Sequence, residues 1–520
     1  MINTQGIYED RDNIRSVWDS MKLDKGDLID RSKEYARWTL PHICNEDNVG
    51  NTEVEKANVM IGPRLVNFLA NKIVNVMFPH DRPFFKVELS VEAEFEASKE
   101  VPQEQIDASK VMIQEAGMRI AKLGKAKLNL IEYRPRAIEA IQHLIITGNA
   151  AVRRMPSSKR VVYGVKDMGV LREIDGTPYD VILRDKMRFD ALDEDVKARV
   201  RQHRIGVKDN DTINLFSRWR REGKKWQFTQ AVDDVNLSTF RMVTDADFPI
   251  ILLTWTLARG ENYGRGLVED NAASFSGIDV STTALLDLFG IAADLKFLVE
   301  PGSVINLDDL INSPRGSYHY GRKDDITAPE IARSKGNDIQ VLASEIERWE
   351  RQLSTAFLMT SGTIRDAERV TAEEIRFYAQ EIESAFGGLY SFLSQSWQKK
   401  EADWAIRQID TSIPKALDVI ITTGMDLLSQ EASLQNLQYA LNDLALTNGI
   451  PEDVRAELNM QKIARFIFMN RNLPYDQFQL TEQEKQTRAE QQQAMMEQQA
   501  NIETNAAVQQ EAGKAAVQGE

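Results

Sequence analysis

Two long helical patterns on either side of a loop-rich insert constrain this fold more than any other feature of the sequence. The first runs from about Leu267 to Val299 and keeps its apolar residues on one side. The second begins near Asn337 or Asp338, either of which could cap it, and carries an apolar stripe to Phe357. The insert between them contains the helix breakers Pro301, Gly302, Pro314, Gly316, Gly321 and Pro329. This order predicts a stalk of two helices with a small knob at its tip.

A short polar segment and another long helix follow the stalk. Residues 360–370 have the composition of a loop that brings Arg365 and Arg369 to one end of the helix. Thr371 and Glu374 have the spacing of a capping box, in which the hydroxyl accepts from a backbone N–H and the carboxylate reaches back. The helix therefore starts near residue 371.

A glycine pair interrupts this helix. Gly387 and Gly388 each cost about 1 kcal/mol inside a helix. Such a pair is a known cause of a kink, so the sequence predicts a bent helix there. A polar segment at 401–413 then leads into a helical region over about 414–472, and the tail is rich in glutamine and alanine, which predicts disorder or loose helix.

The first half of the chain changes from helical to β-like patterns. Helices are predicted to residue 80, a strand at 84–90, and helices again from Gln103 to about Ala151, with a break at Pro135 and a stop at Gly148-Asn149. Residues 160–255 contain six short β-like runs separated by turn residues: RVVYGV, YDVILR, INLFSRW, KWQFTQAV, TFRMV and IILLTW. These predict a mainly antiparallel β subdomain.

Composition argues against several classes of protein. The formal charge of −15 lacks the basicity that tight binding of nucleic acid normally requires, although solubility alone also explains an acidic surface. The single cysteine, Cys44, excludes an intrachain disulfide and favours synthesis in a reducing, cytosolic compartment. The start lacks a signal-peptide pattern, and the most apolar run, 248–258, is too short to span a bilayer.

No pattern for catalysis, cofactor binding or metal binding is present in the sequence. The string Gly124-Lys125-Ala126 lacks the upstream glycine and the Ser/Thr of a phosphate-binding loop. The five histidines are scattered singly, and no Ser-containing nucleophile elbow occurs. We therefore expect no enzyme activity, no cofactor and no metal.

Several motifs together resemble one family. The stretches ERVTAEEIRFYAQEIE and GGLYSFLSQ are similar to those of head-to-tail connector (portal) proteins from short-tailed, podovirus-type bacteriophages. Five further stretches fit the same family: EYARWTLP, RLVNFLANKIVNVMFP, GENYGRGLVED, TTGMDLL and LTEQEKQ. The similarity is scattered over nearly the whole chain, and none of its motifs is catalytic.

The resemblance implies an α+β, predominantly helical, portal-type ring subunit. Its regions would be a wing at 1–266, stem helices at 267–300 and 337–359, and a clip at 301–336. A channel loop at 360–370 would lead through the kinked helix and connection at 371–413 to a crown at 414–475 and the tail at 476–520. The clip sequence shows little recognisable family pattern.

The resemblance also implies a function and partners. A ring of identical subunits, usually twelve, would sit at one capsid vertex, nucleate head assembly and pass double-stranded DNA without reading its sequence. Implied partners are the large terminase subunit, scaffolding and major capsid proteins, tail adaptor proteins and internal core proteins, with no membrane. An acidic surface repels DNA, which fits a conduit.

Arg369 is the candidate site residue, and Arg365 is the second. The resemblance implies that their loop faces the ring axis, where guanidinium groups would meet passing phosphates and act as a constriction or valve. Alternatively, Arg369 forms a solvated ion pair with Asp366, Glu368 or Glu373, which stabilises by at most about 1 kcal/mol. A cation at a helix N-terminus opposes the helix dipole, which favours a role beyond local stability.

Two other classes remain open at this stage. One is an oligomeric virion or scaffolding protein without a channel, and the other is an enzyme of unrecognised type. Images of the purified protein separate them, because only a portal gives top views of a ring with a central hole.

Overall fold

The chain combines long helices with antiparallel sheets. A computed structural model describes residues 13–44, 57–80, 82–89, 99, 103–204, 206–293, 298–299, 306–314, 318, 326–327, 336–359, 372–409 and 417–421. Helices precede and follow a strand-rich region at 149–254. The predicted class, α+β with helix predominant, is confirmed.

Five helices come first in the chain: α1 (Ile14–Asp24), α2 (Gly26–Trp38), α3 (Gly62–Met77), α4 (Gln103–Leu130) and α5 (Tyr133–Thr147). The last four contribute to the largest apolar core, whereas the buried residues of α1 belong to a smaller, separate cluster. Pro63 lies in the first turn of α3, where a missing N–H leaves no helical hydrogen bond unmade. The predicted stripe of α3 is buried, including Leu69 and Ile73, and α3 packs against α5. Each such side chain stabilises the fold by about 1.5–3 kcal/mol.

The strand-rich region forms two antiparallel sheets. Its strands are β2 (Asn149–Arg154), β3 (Arg160–Gly164), β4 (Met168–Arg172), β5 (Pro178–Arg188), β6 (Thr212–Glu222), β7 (Lys225–Val232), β8 (Val235–Thr244) and β9 (Ile250–Thr254). One sheet has the order β4-β5-β6-β7-β8 and the other β3-β2-β9. All six β-like runs of the sequence lie in these strands. In the larger sheet, Val181 pairs with Trp219, which pairs with Phe228, so one row of apolar side chains crosses three strands.

The stop predicted at Gly148-Asn149 agrees with the structure, although the helical pattern was extended to about Ala151. Helix α5 ends at Thr147 because Gly148 turns the chain with a φ of 74°. Residues 149–154 instead form β2, the central strand of its sheet. Strand β4 and helix α6 (Glu194–His203) were not predicted.

The two stem helices are present but shorter than predicted at one end. They comprise α7 (Leu267–Asp270) with α8 (Ala272–Ala293), and α10 (Gly336–Ala356). The prediction of helix to Val299 was wrong, because β10 (Leu298–Val299) pairs with β11 (Ile326–Thr327) inside the insert. The insert also contains a short helix, α9 (Leu307–Asn312). A strand pair of this kind brings the two ends of the insert together.

The helices α8 and α10, here called the stem hairpin, pack along each other and onto α2. The ring of Trp349 on α10 lies against Gly277, where an added Cβ would come within 3.1 Å of the indole. Arg37 donates to Asp279 on α8 at 2.8 Å. Phe275 and Leu353 are fully buried in the main core. The hairpin is therefore rooted in the helical part of the fold.

The last described elements depart from the sequence prediction. They are α11 (Ala372–Ala385), α12 (Leu389–Leu393), a π-helical turn (Ser394–Gln398), α13 (Lys399–Arg407) and β12 (Leu417–Ile421). The segment at 401–413 was expected to be a polar connection, yet much of it belongs to α13. Helix was expected from 414, but β12 pairs with β1 (Phe85–Leu89), which was itself predicted as a strand. The remaining crown and tail residues, 422–520, lie outside the described residues.

Helix α13 is held by a buried ion pair. Glu401 accepts from Arg160 at 2.6 and 3.2 Å, and neither side chain is exposed to solvent. The Arg160 guanidinium also lies 4.1 Å from the centre of the Trp404 ring. Two donors on one carboxylate fix the geometry, so α13 is placed against β3 in one orientation.

A buried histidine makes stability depend on pH. Burial lowers the pKa of His143 on α5 to about 4, below the ordinary value near 6.5. The unfolded chain then binds more protons than the folded chain between these values. Stability is therefore complete above about pH 6.5 and is lost as the pH falls toward 4.

We expect His143→Leu to flatten this dependence. Between pH 7 and pH 5 the wild-type chain loses about 2 kcal/mol through this group, and the variant does not. Thermal melting at both pH values measures the difference. His203→Leu, at an exposed position on α6, is the control. Equal acid sensitivity of the wild type and the His143 variant would contradict the assignment.

Candidate functional site

The stem hairpin ends in a tight reversal at Leu358. The N–H of Leu358 donates to the carbonyl of Thr355 at 3.0 Å, and the N–H of Met359 donates to Ser354 at 2.7 Å. These two bonds form a Schellman motif at the end of α10. Leu358 occupies its left-handed position, with a φ of 54°, where glycine is usual. Neighbouring Phe357 is fully buried and anchors the reversal in the core.

The predicted channel loop lies between this reversal and α11. Arg365, Arg369 and Thr371 lie outside the described residues. Helix α11 begins at Ala372, and Glu374 is in its first turn. The structure therefore describes both ends of the segment 360–371.

The glycine pair lies between α11 and α12. Gly387 and Gly388 have φ values of 55° and 89°, so both are left-handed and the helix restarts after them in a new direction. The carboxylate of Glu383 accepts from the backbone N–H of Ser391 at 3.2 Å and from its hydroxyl at 2.6 Å. Glu383 at the end of α11 thus accepts a hydrogen bond from a backbone N–H in the first turn of α12, which has no partner within its own helix.

Lys72 of α3 connects the two ends of the channel-loop segment. Its Nζ donates to the carbonyl oxygen of Leu358 at 3.3 Å and to Oε2 of Glu381 on α11 at 2.6 Å. The same ammonium lies 4.7 Å from the ring centre of Tyr378 and 5.8 Å from that of Phe68. The Lys72 side chain is 8% exposed and that of Glu381 is 25% exposed, so solvent screens this pair only weakly.

Lys72 was not among the predicted site residues, although the sequence contains a signal for it. Lys72 lies three residues after Leu69 and four before Val76, which places a lysine on the apolar face of α3. A lysine on such a face is almost never buried without a partner. Its partners come from residues much later in the chain, which the spacing does not reveal.

The described contacts of this site hold chain segments in place. Among the residues that the structure describes, no three His, Cys, Asp or Glu side chains are grouped to hold a metal ion. Burial raises the pKa of the Cys44 thiol to about 11, which keeps it protonated. Burial lowers the pKa of Lys25 to about 7, but its ammonium donates to the carbonyl oxygens of Val165 and Met168 and has a structural role.

None of the described helices is both long and apolar enough to cross a membrane.

Comparison with known proteins defines the family. Residues 11–476 match the family model described as bacteriophage head to tail connecting protein. The chain therefore belongs to this family, and the predicted resemblance is confirmed. A head to tail connecting protein is a component of the phage particle, so the virion is the location of this chain.

Curated relatives agree over most of the chain. The portal protein of Enterobacteria phage SP6 is 28% identical over 447 residues, which cover 85% of each chain. The portal protein of Pseudomonas phage phiKMV is 28% identical, with 82% of this chain and 84% of the relative covered. That of Escherichia phage T7 is 25% identical, with 93% and 90% covered. These relatives and the family confirm the predicted portal function.

The chain also matches a solved structure weakly. A chain from the neck of an empty GTA particle has a TM-score of 0.35 and 12% identity, with 75% of this chain and 90% of that chain covered.

We expect Gly388→Ala to destabilise the chain by about 1–2 kcal/mol. No atom lies within 4 Å of the Cβ it would add, so the cost comes only from the left-handed backbone. The matched control is Gly290→Ala, which also adds a Cβ in open space but lies inside α8. It should stabilise by up to about 1 kcal/mol. Denaturant unfolding measures both changes, and equal effects would contradict the strained turn.

Proposed function

We propose that the chain assembles into a closed ring that forms the channel for double-stranded DNA at one vertex of the phage capsid. The ring has twelve identical subunits, which is the number that the family resemblance implies. It nucleates head assembly, docks the packaging motor, passes DNA inward, retains it and releases it through the tail. The subunit is structural and has no catalytic activity of its own. The wing, clip, channel loop and crown keep the boundaries stated above, except that the first stem helix is α7 with α8 and that residues 417–421 of the crown form β12.

The outer face of α8 is the observation that carries this proposal. Leu286 and Phe289 are exposed by 52% and 49%, and because they are three residues apart they share one face of a helix in which Asp279 and Asp287 are the only charged residues. A surface helix normally turns such residues toward a core. Neighbouring exposed apolar side chains on one helix face favour an interaction surface there.

The outer face of α10 is different in character. It carries the ion pairs Arg348–Glu345 at 2.6 Å and Arg351–Glu347 at 3.4 Å, all between exposed groups. One side of the stem hairpin is therefore apolar and the other is charged. An apolar face of this kind can be covered by a different surface of a neighbouring copy, and repeating that head-to-tail contact around an axis closes a ring. A second copy of this chain is the occupant we propose for the α8 face.

The negative net charge of the chain supports a channel that binds DNA only weakly. With a formal charge of −15, the ring repels DNA phosphates over most of its surface. The proposed contacts are sparse and sequence-independent, and Arg369 and Arg365 supply them from the channel loop. The proposed protein partners are the large terminase subunit, scaffolding and major capsid proteins, tail adaptor proteins and internal core proteins.

We expect the double variant Leu286→Glu/Phe289→Glu to block ring formation. Charged side chains on both positions would have to be desolvated in the subunit contact, which is unfavourable without partners. Electron microscopy of the purified protein should show rings with a central hole for the wild type and none for the variant.

Leu23→Glu is the matched control for this experiment. It places the same charge at another exposed leucine, at the end of α1 and away from the stem hairpin. The control should form rings normally. A wild-type chain that stays a compact monomer, or an assembly without a central hole, would contradict the portal ring.

We expect Arg369→Ala to leave ring assembly intact and to change the retention or translocation of packaged DNA. The variant removes one guanidinium per subunit from the proposed constriction. Ring yield by electron microscopy and the DNA content of particles measure the two effects. Arg188→Ala, at an exposed arginine paired with Asp190, is the control. Normal infectivity and DNA retention in the Arg369 variant would contradict the valve and leave the portal assignment untouched.

A further inference from the structure

One ammonium group binds two elements that are separated in sequence by the channel-loop segment. Lys72 reaches the last residues of the stem hairpin through the carbonyl of Leu358 and reaches α11 through Glu381. Both contacts come from α3, most of whose residues are buried. The two ends of the segment are thus tied to one rigid support.

Packing alone does not explain a lysine at this position. An apolar side chain of similar length would fill the space between Phe68 and Tyr378 without the desolvation that a buried ammonium requires. Lysine instead presents three donors from a single atom, and two of them are used on groups from different elements. This is the arrangement that fixes the distance between those elements.

Leu358 has an unfavourable backbone conformation, so the hydrogen bond from Lys72 to its carbonyl oxygen contributes to the stability of the reversal. A left-handed leucine is disfavoured, so the reversal needs external stabilisation to persist. The reversal determines the direction in which the chain leaves α10. The ammonium of Lys72 stabilises this reversal by donating to the carbonyl oxygen of Leu358, and the buried side chain of Phe357 anchors it in the core.

We propose that Lys72 is a positioning residue that holds the end of the stem hairpin and α11 at a fixed separation. The consequence for DNA rests on the proposed channel function, because only there does the spacing of these ends matter to DNA. The positional role itself concerns residues 353–359 and 372–385 and does not depend on that function.

Hydrogen exchange of the assembled, full-length ring tests the proposal. In Lys72→Met we expect amide exchange to accelerate by about tenfold or more in peptides covering 353–359 and 372–385. In Glu381→Gln we expect acceleration mainly in 372–385, because Lys72 keeps its bond to Leu358. Lys72→Arg should restore most of the protection, since it keeps the charge, can donate to both groups and can lie between the two rings.

Asp180→Asn is the matched control. It weakens another buried ion pair, between Asp180 and Arg218 in the five-stranded sheet, where the two groups lie 2.6 Å apart. We expect faster exchange in β5 and β6 and unchanged exchange at both ends of the channel-loop segment. Unchanged exchange there in Lys72→Met, or acceleration spread evenly over the chain, would overturn the proposal.

DNA retention in particles carrying Lys72→Met separates this inference from the function on which it rests. Faster exchange at both ends with altered retention supports both. Faster exchange with normal retention supports the positioning role and contradicts a role of this spacing in the channel. If the Lys72→Met chain does not fold, Glu381→Gln carries the same test, and an unchanged exchange rate in 372–385 then overturns the proposal.

Discussion

The stem hairpin is held in place by apolar side chains at its base that pack into the core of the helical region. Phe275 and Ile278 of α8 meet Leu353 and Phe357 in the same cluster as the buried face of α3. Phe275 and Phe357 contact each other edge to face, with ring centres 5.9 Å apart. Two long helices with one apolar side are not stable by themselves in water. The packing of these side chains into the core therefore determines where the hairpin begins and how it is oriented.

Buried polar contacts then select one arrangement among those the apolar core would permit. Asn149 shows how this works at the start of the stem, since its amide donates to the carbonyl of Gly264 and its Oδ1 accepts from the N–H of Gly264, at 2.8 and 2.7 Å. Arg160 and Glu401 have the same effect between β3 and α13. Apolar contact is non-directional, whereas an unmet buried donor costs about 1–3 kcal/mol, so these bonds discriminate against alternatives. Lys72 belongs to this group of contacts.

Local patterns allowed the stem helices, the strand runs and the buried face of α3 to be predicted, because each repeats with the period of its own secondary structure. Pairing between distant segments was not predictable in this way. Phe85 pairs with Ile421, and nothing in the pattern near either residue indicates the other. Residues 417–421 were predicted as helix for that reason. The partners of Lys72 were missed on the same grounds, although the lysine itself breaks the apolar pattern of α3.

The two faces of the stem hairpin connect local structure with assembly. Ion pairs on α10 are satisfied within one helix, since Arg348 and Arg351 each pair one turn away, so that face needs no partner. Leu286 and Phe289 on α8 have no equivalent solution within their helix, because an exposed apolar side chain is relieved only by another surface. In the proposed ring, a different surface of a neighbouring copy covers this pair of side chains. That copy's own α8 is left uncovered in turn, so closure of the ring buries every copy of the face.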